Sequence, residues 1–180
     1  EQSGLSLQKF HTQFFYSDTG VSLKNLLLQT DATVIQNQVI VKYPSIEAAS
    51  KNVGEVYVDA NLSNSRIGVK DILAFMPSDK RKWQAYKVSV IKVNAQAKGY
   101  LKDLSIPIFE MSGFGDTYVK MSAHLKGLPD AKRAYYDVTI NQFTSTKKDI
   151  LSITPPKTIP SNVNIPDRFA LSGYFKGGMN

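Results

Sequence analysis

Two stretches of strict alternation decide the fold: YVKMSAHL, which is Tyr118–Leu125, and EVYVDANL, which is Glu55–Leu62. In both, every second residue is apolar and the residues between are polar or charged. Successive side chains of a β-strand point to opposite faces, so this period predicts strands with one apolar and one wet side. The pattern is typical of an antiparallel sheet that buries one face only.

The same alternation recurs along the chain, whereas helical periodicity is scarce. It covers Phe10–Tyr16, Val39–Tyr43, Ile91–Lys98 and Tyr136–Asn141. Short helices are predicted after Ser45, which is a suitable N-cap, at Lys70–Met76 and at Lys148–Leu151. Pro77 and the pair Pro155-Pro156 would end the last two helices. The predicted fold class is therefore all-β with a few short helices.

Composition excludes several kinds of chemistry. The 180 residues include no cysteine and two histidines, His11 and His124, so there is no disulfide framework, thiol nucleophile or Cys-based zinc site. No phosphate-binding loop, zinc-protease or hydrolase motif is present. We therefore predict that the chain is not an enzyme and has neither a metal nor a cofactor.

The net charge of +7 raises the question of nucleic acid. The basic residues are scattered singly, and Lys80-Arg81-Lys82 is the one cluster. No known nucleic-acid-binding module accompanies them. This distribution favours a solvated outer sheet face, with lysines at sheet edges, and no nucleic-acid partner.

An internal repeat is indicated by two Lys-Asp-Ile-Leu segments, which begin at Lys70 and Lys148. At the same offset, Tyr57 and Asp59 match Tyr135 and Asp137, and Lys98-Gly99 matches Lys176-Gly177. Val41-Lys42 also matches Val119-Lys120 without a gap. The offset predicts one β-rich unit over 1–78, a second over 79–156, and a Pro-containing connection with the start of a third over 157–180. Two similar strand–helix joints in an unrelated sandwich are the alternative.

Three stretches together carry a resemblance to a known family. They are Val53–Pro77, the segment from Gly127 to Ile140, and Ile159–Gly177 with its IPSNVNIPDRF and LSGYFKG runs. In these stretches the chain resembles the TamB-like members of the AsmA superfamily, in the form found in Bacteroidetes. The motifs are signatures of strands and turns rather than of catalysis.

The resemblance implies a large parent protein that is anchored in the inner membrane by an N-terminal helix and crosses the periplasm. It implies a curved antiparallel sheet that forms an open groove (a repeating β-groove, or β-taco), of which this chain would hold about two units. Such proteins are thought to conduct phospholipids towards the outer membrane and to support outer-membrane biogenesis with an Omp85-type barrel partner. The chain, which begins at Glu1 rather than Met, would be an internal periplasmic segment of such a parent.

The residue pattern is compatible with such a groove. An apolar sheet face must be covered, either by a second sheet or by curling around acyl chains, and each buried methylene contributes about 0.8 kcal/mol. An ordinary sandwich core would use the same residues. The predicted groove residues are Val56, Val58, Ala60, Leu62, Ile91, Val93, Ala95, Val119, Met121, Ala123, Leu125, Val138 and Ile140.

Two further functions stay open at this point. The chain can be a scaffold for outer-membrane protein assembly that offers strand edges to its clients. It can also be a glycan-binding β-sandwich, in which Trp83 and the nine tyrosines would supply stacking surfaces.

Overall fold

The computed structural model describes residues 6–75, 81–130, 132–154, 158–160 and 162–178. Within them the chain forms ten β-strands that all belong to one curved antiparallel sheet. The predicted fold class, all-β with a few short helices, is confirmed. The strands are β1 Leu7–Ser17, β2 Gly20–Thr30, β3 Val34–Lys42, β4 Tyr57–Asn61, β5 Ser65–Gly68, β6 Val90–Tyr100, β7 Asp103–Phe114, β8 Thr117–Lys126, β9 Tyr135–Thr146 and β10 Arg168–Gly178.

The strands follow one another across the sheet in chain order, from β1 at one edge to β10 at the other. β4 and β5 share one position, because both pair with β3 on one side and with β6 on the other. Residues 62–64 interrupt this strand, and Asn64 has a φ of 59°. The ten described strands therefore form a single sheet rather than the two sheets of a sandwich.

Three short α-helices accompany the sheet: α1 Ile46–Lys51, α2 Val69–Phe75 and α3 Lys147–Ile153. The predicted N-cap is confirmed, since the Ser45 hydroxyl accepts a hydrogen bond from the Ala48 N–H at 3.0 Å. Two 3₁₀-helices span Val53–Glu55 and Arg81–Tyr86. Residues 76–80 and 155–157, which include the predicted helix-ending prolines and the proposed unit boundaries, lie outside the described residues.

The architecture is repeat-like, and the offset between units changes along the chain. α2 and α3 are 78 residues apart, as are β6 and β10. β1–β3 instead correspond to β6–β8 at an offset of 83 to 84 residues. The cause is the 14-residue connection 43–56 between β3 and β4, whose counterpart 127–134 has eight residues. The gapless match of Val41 with Val119 is therefore wrong, because the counterpart of Val41 is Leu125.

A line of bulges crosses the sheet at mid-strand. The extra residues lie in β2 between Lys24 and Leu27, in β7 between Ser105 and Phe109, and in β9 between Ile140 and Phe143, and each shifts the register with both neighbouring strands. The interruption between β4 and β5 falls on the same line. A bulge bends its strand and increases the local twist. Bulges aligned along this line therefore curve the sheet about an axis that runs across the strands.

The buried core lies at one end of the sheet, where α2 and the 3₁₀-helix Arg81–Tyr86 cover β6 and β7. Phe114 stacks on Tyr86 with 4.3 Å between ring centroids, and Trp83 packs against Phe114 at 5.0 Å. Val69, Leu73 and Ile91 complete this cluster. Ile91, predicted to line a groove, is only 7% exposed and belongs to the core instead.

Each of the helices α2 and α3 is held to a hairpin turn by a buried aspartate in its first turn. The Asp71 carboxylate accepts hydrogen bonds of 2.5 Å from the hydroxyls of Thr30 and Thr33, which flank the turn between β2 and β3. Asp149 accepts one from the backbone N–H of Asp116, in the turn between β7 and β8, at 2.9 Å. Both aspartates lie in the first turn of their helices, where the helix dipole favours a negative charge. The hairpin contacts add a second reason for a carboxylate there, besides the helix dipole.

Asp149 also links α3 to the 3₁₀-helix Arg81–Tyr86, because the Tyr86 hydroxyl donates to its carboxylate at 2.6 Å. Burial alone would raise the pKa of this carboxyl. The hydrogen bonds from Tyr86, Asp116 and Thr146 and the charge of Lys148 outweigh burial and hold the pKa below its usual range. Burial and the Asp149 hydrogen bond raise the pKa of the Tyr86 phenol.

Candidate functional site

The sheet has one apolar face, which we call the inner face. Residues paired across an antiparallel ladder share a face, so the register traces this surface from strand to strand. One row runs Val21, Val41, Val58, Gly99, Leu104, Leu125, Tyr136 and Gly177. A second row contains Leu23, Val39, Ala60 and Ala97, and on the far side of the bulge it continues through Ile106, Ala123, Val138 and Phe175.

The predicted groove residues that lie in strands all fall on this inner face. The register brings Ala123 beside Val138, Met121 beside Ile140, and both Val93 and Val119 beside Met111. Val56 and Leu62 flank β4, and hydrogen bonds to Leu101 and Ala95 tie them to the sheet. Apart from Ile91, the predicted residues are half-buried, which is the state expected where no second layer covers a sheet face.

Sequence reasoning missed several inner-face residues for a physical reason. Ile106 and Phe109 are three positions apart, yet both belong to the inner face because the β7 bulge lies between them. A bulge reverses the alternation, so a period-2 pattern loses β7 near Pro107. Phe143, Leu171 and Phe175 were also missed, although the spacing of Leu171 and Phe175 within LSGYF carries the alternating signal.

Charge is confined to the opposite face and to the ends of the strands. On the opposite face Asp59 pairs with Lys98 at 3.7 Å, and the counterpart pair Asp137–Lys176 lies at 3.1 Å. Asp103 also contacts His124 there, at 2.5 Å. In the ten described strands, no inner-face position carries a charged side chain. The inner face therefore offers apolar contact without a fixed charge.

The inner face stays open beyond the part that α2 and the 3₁₀-helix cover. The chain has an accessible surface of 11645 Å², whereas a compact monomer of 20.0 kDa would expose about 8,700 Å². The excess of about a third reflects a sheet that exposes two faces. Apolar side chains are prominent at both edges: Phe14 in β1 is 63% exposed and Phe175 in β10 is 51% exposed.

The dimensions of this open surface follow from the strand order. Nine strand positions at a spacing of about 4.8 Å give a length of about 38 Å across the strands. Alanines and a glycine occupy its middle on β4 and β6, namely Ala60, Ala95, Ala97 and Gly99, while larger side chains such as Leu23 and Phe109 flank them. We call this curved apolar surface the groove.

The described part of the chain holds no group of three or more His, Asp or Glu side chains placed to bind a metal ion. None of its helices combines the length and apolarity needed to cross a bilayer. Comparison with family models, curated proteins and solved structures finds no match for this chain.

Proposed function

We propose that this chain is a lipid-binding segment whose groove holds phospholipid acyl chains. The observation that carries the proposal is an uncharged apolar face that continues across nine strand positions without a second layer over its middle. A face of this kind gains stability from any long aliphatic group that displaces water, and it needs no specific polar contact.

The wider role rests on the resemblance to the TamB-like proteins. In this proposal the chain is a periplasmic segment of an inner-membrane-anchored protein. It conducts phospholipids towards the outer membrane and supports outer-membrane biogenesis with an Omp85-type barrel. The repeat-like sheet supports this role, because units placed end to end would join their grooves into a longer one.

The experiment compares two adjacent positions on β9. Val138 lies on the inner face beside Ala123, whereas Thr139 lies on the opposite face, is exposed, and pairs with Ser122. Gently purified wild type should carry phospholipid in native mass spectrometry. Val138→Lys should remove that lipid, and Thr139→Lys should keep it.

Folding must be followed in the same samples. Retained far-UV circular dichroism with lost lipid in Val138→Lys supports the proposal. Wild type that carries no lipid after gentle extraction, or equal lipid in the two variants, refutes it. If Val138→Lys unfolds while Thr139→Lys stays folded, Val138 belongs to a closed core, which also contradicts the proposal.

A second candidate is a scaffold that pairs its edges with strands of outer-membrane proteins. The observation in its favour is the length of the two edge strands, β1 and β10, which have 11 residues each. Its distinguishing test is saturable capture of nascent barrel strands that persists in Val138→Lys, because edge pairing uses the backbone and not the groove.

A further inference from the structure

β10 pairs with β9 in the same register in which β6 pairs with β4 and β5. Each β6 pair recurs 78 residues later with β10, and even the ion pair across the ladder is repeated. The corresponding pairs are Tyr57–Tyr100 with Tyr135–Gly178, Val58–Gly99 with Tyr136–Gly177, and Asp59–Lys98 with Asp137–Lys176. The edge of β10 that pairs with β9 therefore has the same register as the edge of β6 that pairs with β4 and β5.

The outer edges of the two strands differ in one respect. Gly99 of β6 has a φ of +133°, and a Cβ there would lie 2.4 Å from the carbonyl oxygen of Asp103, the first residue of β7. This close approach explains the glycine. Gly177 of β10 has the corresponding positive φ of +157°, yet nothing lies within 4 Å of its Cβ position. β10 therefore carries the backbone feature that accommodates a β7-type strand, without a neighbour over it.

The side chains of β10 agree with this comparison. Leu171 and Phe175 are 42% and 51% exposed on the inner face, whereas their β6 counterparts Val93 and Ala97 are half-buried with β7 alongside. β10 contains no proline, and its two basic residues are paired within the chain, Lys176 with Asp137 at 3.1 Å and Arg168 with Asp116 at 2.9 Å. These two side chains are the charged protection that this edge strand carries.

We propose that the outer edge of β10 is a pairing edge for an antiparallel strand of the β7 type, in the register that β7 holds on β6. The strand places its first carbonyl over Gly177 and its alternate apolar side chains beside Leu171 and Phe175. Pairing of this kind extends the inner face by one strand. The proposal concerns backbone pairing and does not depend on lipid in the groove.

The direct test adds a synthetic peptide with the sequence of residues 103–114 to the intact chain. Amide hydrogen exchange, read by NMR, should show saturable protection of alternate β10 amides, about tenfold or more. A scrambled peptide is the control. Protection of β1 instead of β10 would overturn the proposal.

Two glycines of β10 provide matched variants. Gly177→Ala places a methyl group where the incoming carbonyl must lie, and peptide binding should weaken about tenfold. Gly173 also has nothing within 4 Å of its Cβ position, and its β6 counterpart is Ala95, so Gly173→Ala should bind as wild type does. Equal affinity of the two variants contradicts the proposed register.

A single chain that carries an added β7-type strand at its C-terminal end avoids aggregation of the free peptide. In it, a copy of residues 101–114 follows Gly178, so that the copy can fold back as β7 does on β6. The appended segment should become protected, and Gly177→Ala should lower that protection about tenfold. An appended segment that exchanges as fast as unfolded chain, in an otherwise folded protein, refutes the proposal.

Discussion

The buried carboxylate of Asp149 lends itself to a quantitative prediction about how the helices hold the sheet. Asp149 is 3% exposed. Its carboxylate accepts hydrogen bonds from the Tyr86 hydroxyl at 2.6 Å and from the Asp116 N–H at 2.9 Å. Asp149→Ala removes both acceptor oxygens. Because Tyr86 lies in the 3₁₀-helix Arg81–Tyr86 and Asp116 lies in the turn between β7 and β8, the substitution tests whether this carboxylate joins those two elements.

The expected cost follows from the two donors. A hydrogen bond to a charged acceptor contributes about 1.5–3 kcal/mol. The Tyr86 hydroxyl keeps a second neighbour, the Ser152 hydroxyl at 3.2 Å, so its loss falls at the lower end of that range. We therefore expect Asp149→Ala to lower the free energy of unfolding by about 3 kcal/mol, which corresponds to a fall in Tm of about 6–12 °C for a chain of this size.

Urea unfolding at pH 7, followed by circular dichroism, measures this cost. A double-mutant cycle with Tyr86→Phe should give a coupling energy of about 1–2 kcal/mol between Tyr86 and Asp149. Asp18→Ala is the control, because Asp18 is exposed in the turn between β1 and β2 and should leave stability unchanged. A cost below about 0.5 kcal/mol for Asp149→Ala, or a coupling energy of zero, would show that the carboxylate does not hold α3 to the 3₁₀-helix Arg81–Tyr86.

Three further outcomes follow from the same geometry. Because the folded-state pKa of Asp149 is lowered, its stabilisation is present above about pH 3.9 and is lost as pH falls through the lower folded value. Urea midpoints measured from pH 6 to pH 2 should therefore fall less steeply in Asp149→Asn than in wild type. Phe114→Ala should cost about 3–5 kcal/mol in urea unfolding, since Phe114 is 2% exposed and stacks on Tyr86; a cost under 1 kcal/mol would refute its place in the core. Gly99→Ala should lower Tm by several degrees because of its φ and its approach to β7, whereas Gly173→Ala should leave Tm within about a degree or raise it.

The sequence predicted the strand faces well because alternation depends only on local residues. Val58, Ala123 and Val138 fall on the inner face as their period requires. The bulge in β7 interrupts the alternation, so Phe109 was not predicted as an inner-face residue. A short helix was predicted at Lys148–Leu151, and in the structure it spans Lys147–Ile153 with Thr146 as its N-cap.

Contacts between distant positions could not be predicted from one sequence. Tyr86 and Asp149 are 63 residues apart, and no local pattern indicates that they meet. Trp83, considered from the sequence as a stacking residue for a glycan, packs against Phe114 from a 3₁₀-helix instead. The repeat offset was found where α2 and α3 carry the same residues, but the six extra residues between β3 and β4 hid the alignment of β1–β3.

The chain-order path of the sheet has a consequence for how the protein is made. Each strand pairs with strands that are close in sequence, so the entropy of closing long loops is small at each step. A chain that is released from its N-terminus onward can therefore fold hairpin by hairpin, because each new strand pairs with the strand before it. Damage should spread no further than the neighbouring strands, so a lesion in β2 would leave β7–β10 folded.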